Sequence, residues 1–236
     1  MALTPQNDEA FLREVDEELR REQMGTFWRR YGRLMAIAVF AALAAFGGWL
    51  WWQDHREKVA GLDGEALTTA FKALGNGDDK AAKPALERLA RGDSAGYRAA
   101  AKLSLAAERL QKEDVKGAVA LYAEVSADPK IPQPFRDLAL IRQTAAEFDT
   151  LKPEVVIARM KPLAIAGQPW FGSAGEMTAI SLIRQGQEEK AGAVFAALAT
   201  DKQVPDSIRG RARRIAGALG ADVAADEAAS GKELVQ

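Results

Sequence analysis

The chain has 236 residues, and its 32 Lys and Arg side chains nearly balance 33 Asp and Glu side chains, so the formal net charge at pH 7 is −1. This balance excludes the basic excess of a nucleic-acid-binding domain, and the absence of cysteine excludes a disulfide framework and a thiolate metal site. The length allows one membrane span and one domain of roughly 160 residues.

Residues 1–33 are predicted to form a cytoplasmic leader rich in arginine and acidic residues. Within it, residues 7–23 are predicted to form a short amphipathic helix, since Asn7 can cap it and apolar side chains recur at i, i+4 and i+8. The apolar stripe is narrow, and it fits a helix on the membrane surface, a helix against a partner, or a solvated, partly ordered leader. Gly25 and Thr26 are expected to end this helix.

The segment 34–52 runs from Leu34 to Trp52 without a charged side chain. As a helix it spans about 28 Å, which is enough to cross the hydrocarbon core of a bilayer. A buried core helix is the alternative, but apolar side chains cover the whole circumference and tryptophans crowd one end, as in an interfacial belt. The segment is therefore predicted to be a transmembrane helix in contact with membrane lipid.

The basic residues beside this segment predict its orientation. Five precede it and two follow it: Arg20, Arg21, Arg29, Arg30 and Arg33, then Arg56 and Lys58. The positive-inside rule places the N-terminus in the cytoplasm and the chain after Gln53 on the far side of the membrane. A cleaved signal peptide is the alternative, but the leader is long and acidic, and tryptophans stand where a cleavage site needs small residues. We expect an uncleaved signal anchor.

The chain beyond the membrane segment is predicted to be almost wholly helical, because apolar residues recur at i, i+3, i+4 and i+7. Turn residues divide it into helices near 59–74, 79–91, 94–111, 114–126, 134–149, 153–166, 171–185, 187–200 and 205–219. Residues 220–236 lack periodicity and are rich in Ala, Asp and Glu, so they are predicted to form a disordered tail.

A repeated frame organises these helices. A turn residue is followed by a small residue and then by a large apolar one in three sets: Gly77, Ala82 and Leu86; Glu113, Ala118 and Tyr122; Gly186, Ala191 and Phe195. One degenerate unit fits between the last two sets, around Asp149 to Met160. The period of about 36 residues is close to the 34 of the tetratricopeptide repeat. The predicted fold is all-α, with a single N-terminal transmembrane helix followed by a tetratricopeptide-like α-solenoid of helix pairs over residues 53–219.

Several segments, taken in order, resemble the ancillary SecYEG translocon subunit family, the YfgM-like proteins. They are residues 27–32 before the apolar segment, residues 97–106 leading to Glu113-Asp114 and Ala118, and residues 186–191 before Val194-Phe195. The resemblance covers about residues 25–220. It implies a single-pass protein of the bacterial cell inner membrane with a periplasmic repeat domain, association with Sec translocon subunits, and contact with periplasmic chaperones or emerging polypeptides.

Few residues are candidates for catalysis. His55, the only histidine, stands beside Asp54, but no serine or cysteine nucleophile accompanies the pair. Residues 172–175 resemble a nucleophile elbow only superficially, since their spacing differs and no predicted strand precedes them. Residues 75–79 lack the Gly-Lys-Ser/Thr of a phosphate loop and the terminal Glu of a calcium loop, so a turn is expected there. No catalytic, cofactor-binding or metal-binding residue is predicted.

Two sets of charged residues carry other hypotheses. Four arginines are expected to form the polar outer face of a capping helix, with an acidic partner or lipid headgroups as the less favoured role: Arg209, Arg211, Arg213 and Arg214. An enzyme built on scattered carboxylates such as Glu108, Glu147 and Glu176 would need a closed pocket, which an open solenoid rarely provides.

The leading hypothesis is therefore a non-enzymatic, membrane-anchored scaffold that binds proteins, ancillary to the Sec translocon and linking emerging chains to periplasmic chaperones. The alternative is a scaffold of the same fold that organises the cell envelope or the division machinery. The two hypotheses differ only in the partners they require. No nucleic-acid partner and no cofactor are expected.

Overall fold

A computed structural model describes the backbone of residues 6–221 and the side chains of residues 30–221. All regular secondary structure within these residues is α-helical, as predicted. The helices are α1 (Gln6–Gly75), α2 (Asp79–Leu89), α3 (Ala95–Gln111), α4 (Val115–Ala127), α5 (Gln133–Ala146), α6 (Pro153–Met160), α7 (Phe171–Arg184), α8 (Glu188–Thr200) and α9 (Asp206–Ala218). Most of the predicted disordered tail, from residue 222 onward, lies outside the described residues.

Helix α1 is continuous where the sequence predicts interruptions. The expected end of the leader helix at Gly25 and Thr26 is wrong, and the predicted helix 59–74 joins the apolar segment without a break. The sequence contains no proline between residues 6 and 75. A glycine in a helix costs only about 1 kcal/mol relative to alanine, so the flanking helix-forming residues carry the helix through these points.

The chain divides into two compact units, Met1–Leu62 and Asp63–Gln236. In the described part of the first unit, large apolar side chains are exposed, among them Phe40, Leu43 and Trp51. The helical segment Arg30–Gly75 is the one span in the described chain that is long and apolar enough to cross a membrane, and its apolar window is wholly exposed. By length and composition it is a candidate transmembrane span.

The second unit is built from helices that pack against their neighbours in sequence. One apolar core joins the end of α1 to α2 and α3 around Ala70 and Leu86, and another joins α5, α6 and α7 around Val156 and Met160. A third joins α7, α8 and α9 around Phe195. Since each helix pair buries its apolar face against the next pair, this unit is a solenoid.

The predicted helix bounds agree with the structure to within about three residues, except at α6 and at the start of α1. The prediction extends α6 over 153–166, whereas the helix ends at Met160. Pro162 follows directly, and it lacks an amide hydrogen and its ring clashes with the carbonyl four residues earlier. The amides of Leu163 and Ala164 both donate to the Met160 carbonyl at 2.8 Å, which closes the helix with a turn.

The repeated frame is confirmed at all three positions. Its first residues, Gly77, Glu113 and Gly186, have φ angles of 75°, 62° and 71°, so each forms the left-handed turn that separates the two helices of a pair. Glu113 adopts this conformation without being a glycine, which is uncommon. The small and large residues that follow are all buried: Ala82 and Leu86, Ala118 and Tyr122, Ala191 and Phe195. In the degenerate unit, Val156 and Met160 occupy the two buried positions.

Candidate binding surfaces

The C-terminal end of the predicted membrane segment presents aromatic rings and a cation. The Trp51 and His55 rings stack with centroids 5.7 Å apart and planes inclined by 10°. The Arg56 guanidinium carbon lies 4.7 Å from the centroid of the Trp52 ring. Amphipathic rings and a cation of this kind suit the boundary between hydrocarbon and lipid headgroups.

The structure does not pair His55 with Asp54. The Asp54 carboxylate instead lies 2.7 Å from Nζ of Lys58, one helical turn further along α1. His55 is exposed and stacks on Trp51, so its surroundings are those of an interfacial side chain. Among residues 30–221, no group of three His, Cys, Asp or Glu side chains is placed to hold a metal ion.

A groove of about 560 Å³ is lined by α2, α3 and α4. Its apolar lining comes from Ala90, Leu105 and Leu121. Eight of the nine charged lining residues form ion pairs within the protein: Lys83 with Glu87 at 3.8 Å, Lys102 with Glu124 at 2.7 Å, Arg109 with Asp114 at 3.3 Å, and Lys112 with Glu108. The ninth, Arg91, has no ion pair among residues 30–221. Because the two signs of charge largely compensate each other, this groove offers little selection by charge.

A smaller pocket of about 250 Å³ is lined by α3, α4 and α5. Leu103, Ala107 and Leu138 form apolar walls, and Tyr122 contributes from the buried aromatic position of its repeat. Arg142 of α5 lines the same pocket and is exposed to solvent. The pocket therefore combines an apolar interior with a phenol and a guanidinium.

Two of the three polar side chains that line this smaller pocket have no partner within the described chain, whereas the Ser104 hydroxyl donates to the Ala100 carbonyl at 2.9 Å. Neither the Tyr122 hydroxyl nor the Arg142 guanidinium has a hydrogen-bond or ion-pair partner among residues 30–221. Burial raises the pKa of Tyr122, and the positive charge of Arg142 opposes this with a smaller lowering. The phenol is therefore protonated at neutral pH, and it offers the pocket a neutral donor beside the Arg142 cation.

Sequence comparison decides the family. The family described as Tetratricopeptide repeat-like domain matches residues 25–204, which is most of the chain. The chain belongs to this family. A relative from Escherichia coli (strain K12), the Ancillary SecYEG translocon subunit, is 22% identical over 170 residues, which are 72% of this chain and 81% of the relative. No solved structure matches. The predicted repeat fold and the resemblance drawn from the sequence are confirmed.

Within this tetratricopeptide repeat-like chain, residues 172–175 serve helix packing. They lie in α7. A Cβ added at Gly172 would lie 3.3 Å from Ile208 Cδ1, and one added at Gly175 would lie 3.1 Å from Leu198 Cδ2. The two glycines thus let α7 approach α8 and α9 closely, and no nucleophile elbow is formed.

The predicted turn at residues 75–79 is likewise confirmed as a connection between helices. The amide of Asp78 donates to the Ala73 carbonyl at 2.9 Å. The Asp78 side chain accepts from the Ala81 amide at 3.0 Å, which caps the N-terminus of α2. Asp114 caps α4 in the same way, accepting from the Gly117 amide at 2.9 Å.

The three glutamates of the enzyme hypothesis each have their own cation. Glu108 pairs with Lys112, and Glu147 Oε2 lies 2.7 Å from Arg159 Nη1. Glu176 accepts two hydrogen bonds from the Arg211 guanidinium, one of them from Nη2 at 2.7 Å. Carboxylates held in ion pairs are poorly suited to proton transfer.

Helix α9 is the capping helix that the sequence predicts. It buries Ala212 and Ala216 against α7 and α8, and it exposes Arg211, Arg213 and Arg214. Arg211 of α9 forms an ion pair with Glu176 of α7 and so links the two helices. Arg211 thus has a structural role, and its charge is already neutralised within the chain.

One internal signal was missed by the sequence analysis. Asp128 and Asp201 end α4 and α8, and each side chain accepts from the amide two residues later, at 2.9 and 2.8 Å. A buried Ile131 or Val204 and then a proline follow in both turns. The two turns are separated by the same number of residues as the frames that begin at Glu113 and Gly186, so this spacing would have revealed the repeat independently.

Proposed function

We propose that this chain is a membrane-anchored scaffold that binds proteins and is ancillary to the Sec translocon. The observation that carries the proposal is the similarity to the Ancillary SecYEG translocon subunit, which extends over 81% of that relative. The family match over residues 25–204 takes in both the apolar segment and most of the repeats, so the similarity concerns the whole arrangement and not one motif.

The repeat architecture supports the binding of proteins. Stacked helix pairs create an extended surface on which polypeptides dock. In this chain, two cavities of about 560 and 250 Å³ are lined by helices of successive repeats. A non-catalytic role is supported by the three candidate carboxylates, each of which is held by a cation.

We place residues 34–52 in the bacterial inner membrane, with the N-terminus in the cytoplasm and the repeats in the periplasm. The excess of basic residues before the segment supports this orientation. A phosphatase fused after Gln236 should be active, whereas a fluorescent protein that folds only in the cytoplasm should be dark at the same position. The opposite pair of results would reverse the orientation.

We further propose that the repeat domain links emerging chains to periplasmic chaperones. Photo-crosslinking from residues of α3 and α5 in intact membranes, followed by mass spectrometry, tests both the partner and the surface. Translocon subunits, chaperones or nascent secretory chains are the expected products. Recovery of envelope-organising or division proteins without translocon subunits would favour the alternative scaffold function.

A further inference from the structure

We propose that the pocket lined by Tyr122 and Arg142 binds the carboxylate of an aspartate or glutamate side chain in an extended partner polypeptide. This inference rests on the proposed protein-binding function and assigns it a specific site. The pocket lies between the repeats that contain α3 and α5, and Tyr122 of α4 reaches it from the buried position of its repeat.

The unsatisfied donors select the chemistry of the ligand. Only 3% of the Tyr122 surface is exposed, its hydroxyl stays open to solvent, and that hydroxyl has no partner among residues 30–221. The Arg142 guanidinium, which lines the same pocket, also has none within those residues. A carboxylate accepts hydrogen bonds from both groups and neutralises the cation, whereas an amide or a hydroxyl accepts hydrogen bonds but leaves the cation unpaired.

The size and walls of the pocket favour one side chain of a peptide. Its volume of about 250 Å³ is below the roughly 300–1,000 Å³ of sites that enclose drug-sized ligands. Leu103, Ala107 and Leu138 line it with apolar atoms, which suit the methylene groups of an acidic side chain or of its neighbour.

The larger groove differs from this pocket in how its lining cations are paired. Four of the five cations that line the larger groove are paired with carboxylates of the protein itself, and Arg91 is the exception among the described residues. Arg142 has no such carboxylate among the described residues. An acidic side chain that enters the smaller pocket therefore gains an ion pair without displacing one that already exists.

An oriented peptide library tests this inference on the full-length chain in mild detergent. The library carries Glu, Asp, Gln or Asn at a fixed central position, with randomised flanking residues, and the bound fraction is sequenced. The wild-type chain should enrich acidic over amide side chains about tenfold or more, as expected for charge-assisted hydrogen bonds. Arg142→Gln should reduce the enrichment to near one, and Tyr122→Phe, which keeps the aromatic ring, should reduce it by about threefold.

Arg214→Gln is the matched control, because Arg214 is an exposed arginine of α9 away from this pocket, and it should leave the enrichment unchanged. Circular dichroism should show the same helical content in all variants. Equal recovery of acidic and amide peptides by the wild-type chain would overturn the proposal. So would full enrichment by the Arg142→Gln variant.

Two further arms separate this inference from other accounts. Residues 222–236 contain four acidic side chains. If Arg142→Gln changes the enrichment of acidic peptides only after that tail is deleted, the tail occupies the pocket in the intact chain. The proposal that a partner polypeptide occupies it would then fail. Co-purification with the translocon is measured on the same variants: if it persists while acidic enrichment is absent, the pocket inference fails and the proposed function stands. Acidic enrichment without co-purification would support the pocket inference and contradict the proposed function.

Discussion

The two units of the chain differ in whether their leucine side chains are exposed or buried. Leu43 of the first unit is 64% exposed, whereas Leu86 of the second unit is fully buried at 0%. Monomeric proteins in water rarely expose a contiguous apolar surface as long as the one from Leu34 to Trp52. The contrast shows that the second unit buries its apolar side chains internally, and it supports the proposal that residues 34–52 of the first unit lie in a membrane.

A charge in the middle of the apolar segment should give the largest effect. Leu43→Arg and Phe40→Arg together should release the chain from the membrane, since each arginine at the centre of a span costs about 2.5–3.5 kcal/mol. Val115→Arg is the matched control, because Val115 is 43% exposed but faces water in the repeat domain. Extraction with alkaline carbonate measures the outcome. Retention of the double variant in the membrane would contradict the contrast between the units.

The next largest effect concerns the repeat interior. Residues 59–219 are expected to fold alone as a soluble helical fragment, in which Phe195→Ala or Tyr122→Ala should lower the free energy of unfolding by about 3–5 kcal/mol. Phe71→Ala should lower it by much less, because Phe71 is 45% exposed. Urea unfolding followed by circular dichroism measures these values. Changes under about 0.5 kcal/mol at both buried aromatics would show that the repeat register is wrong.

Substitutions at two glycines test how closely the helices of the second unit pack. Gly175→Ala should destabilise by about 1–2 kcal/mol, because the added Cβ would lie 3.1 Å from both Leu198 and Phe171, and overpacking outweighs the gain in helix propensity. Gly210→Ala should stabilise by about 0.5–1 kcal/mol, since nothing lies within 4 Å of the added Cβ. Thermal unfolding of the same fragment distinguishes them, and equal shifts at the two sites would contradict the close approach of α7 and α8.

The smallest effect is a pH dependence at the turn after α4. The amide of Lys130, and then the Arg98 side chain, hold the pKa of Asp128 below its usual value of 3.8. Because the folded pKa is the lower one, this stabilisation is complete above about pH 4 and is lost as pH falls through the folded pKa. Asp128→Asn should therefore be less stable than wild type at pH 7, and the difference should shrink below pH 4. A difference that persists unchanged at pH 2 would exclude this cause.

Helix positions and repeat spacing were predictable because both depend on local patterns. Ala118 and Tyr122 recur at the spacing that buries one helix face, and Glu113 occupies the turn position despite not being a glycine. The end of α6 was also predictable in principle, since Pro162 is visible in the sequence. The continuity of α1 was harder to predict, because Gly25 breaks a pattern without preventing a helix.

The binding pocket was not predictable from the sequence in the same way. Tyr122 was recognised as a repeat residue, but its role in a cavity depends on Leu103 of the preceding helix and on Arg142 of the following one. No local spacing relates these three residues, because they meet only after the helix pairs stack. The ion pairs of Glu147 and Glu176 with Arg159 and Arg211 are products of the same stacking.

We propose that the apolar helix holds this repeat scaffold beside the Sec translocon and that the repeats contact the clients of the translocon. Small residues along the segment, among them Ala38, Ala42 and Ala45, suit close helix packing in lipid. The most direct test replaces residues 34–52 with an unrelated apolar helix of equal length and measures co-purification with the translocon in mild detergent. We expect the repeats to remain on the same side of the membrane as in the wild type, while co-purification falls. Unchanged co-purification after the swap, together with its loss on deletion of residues 59–219, would contradict this division and assign docking to the repeats.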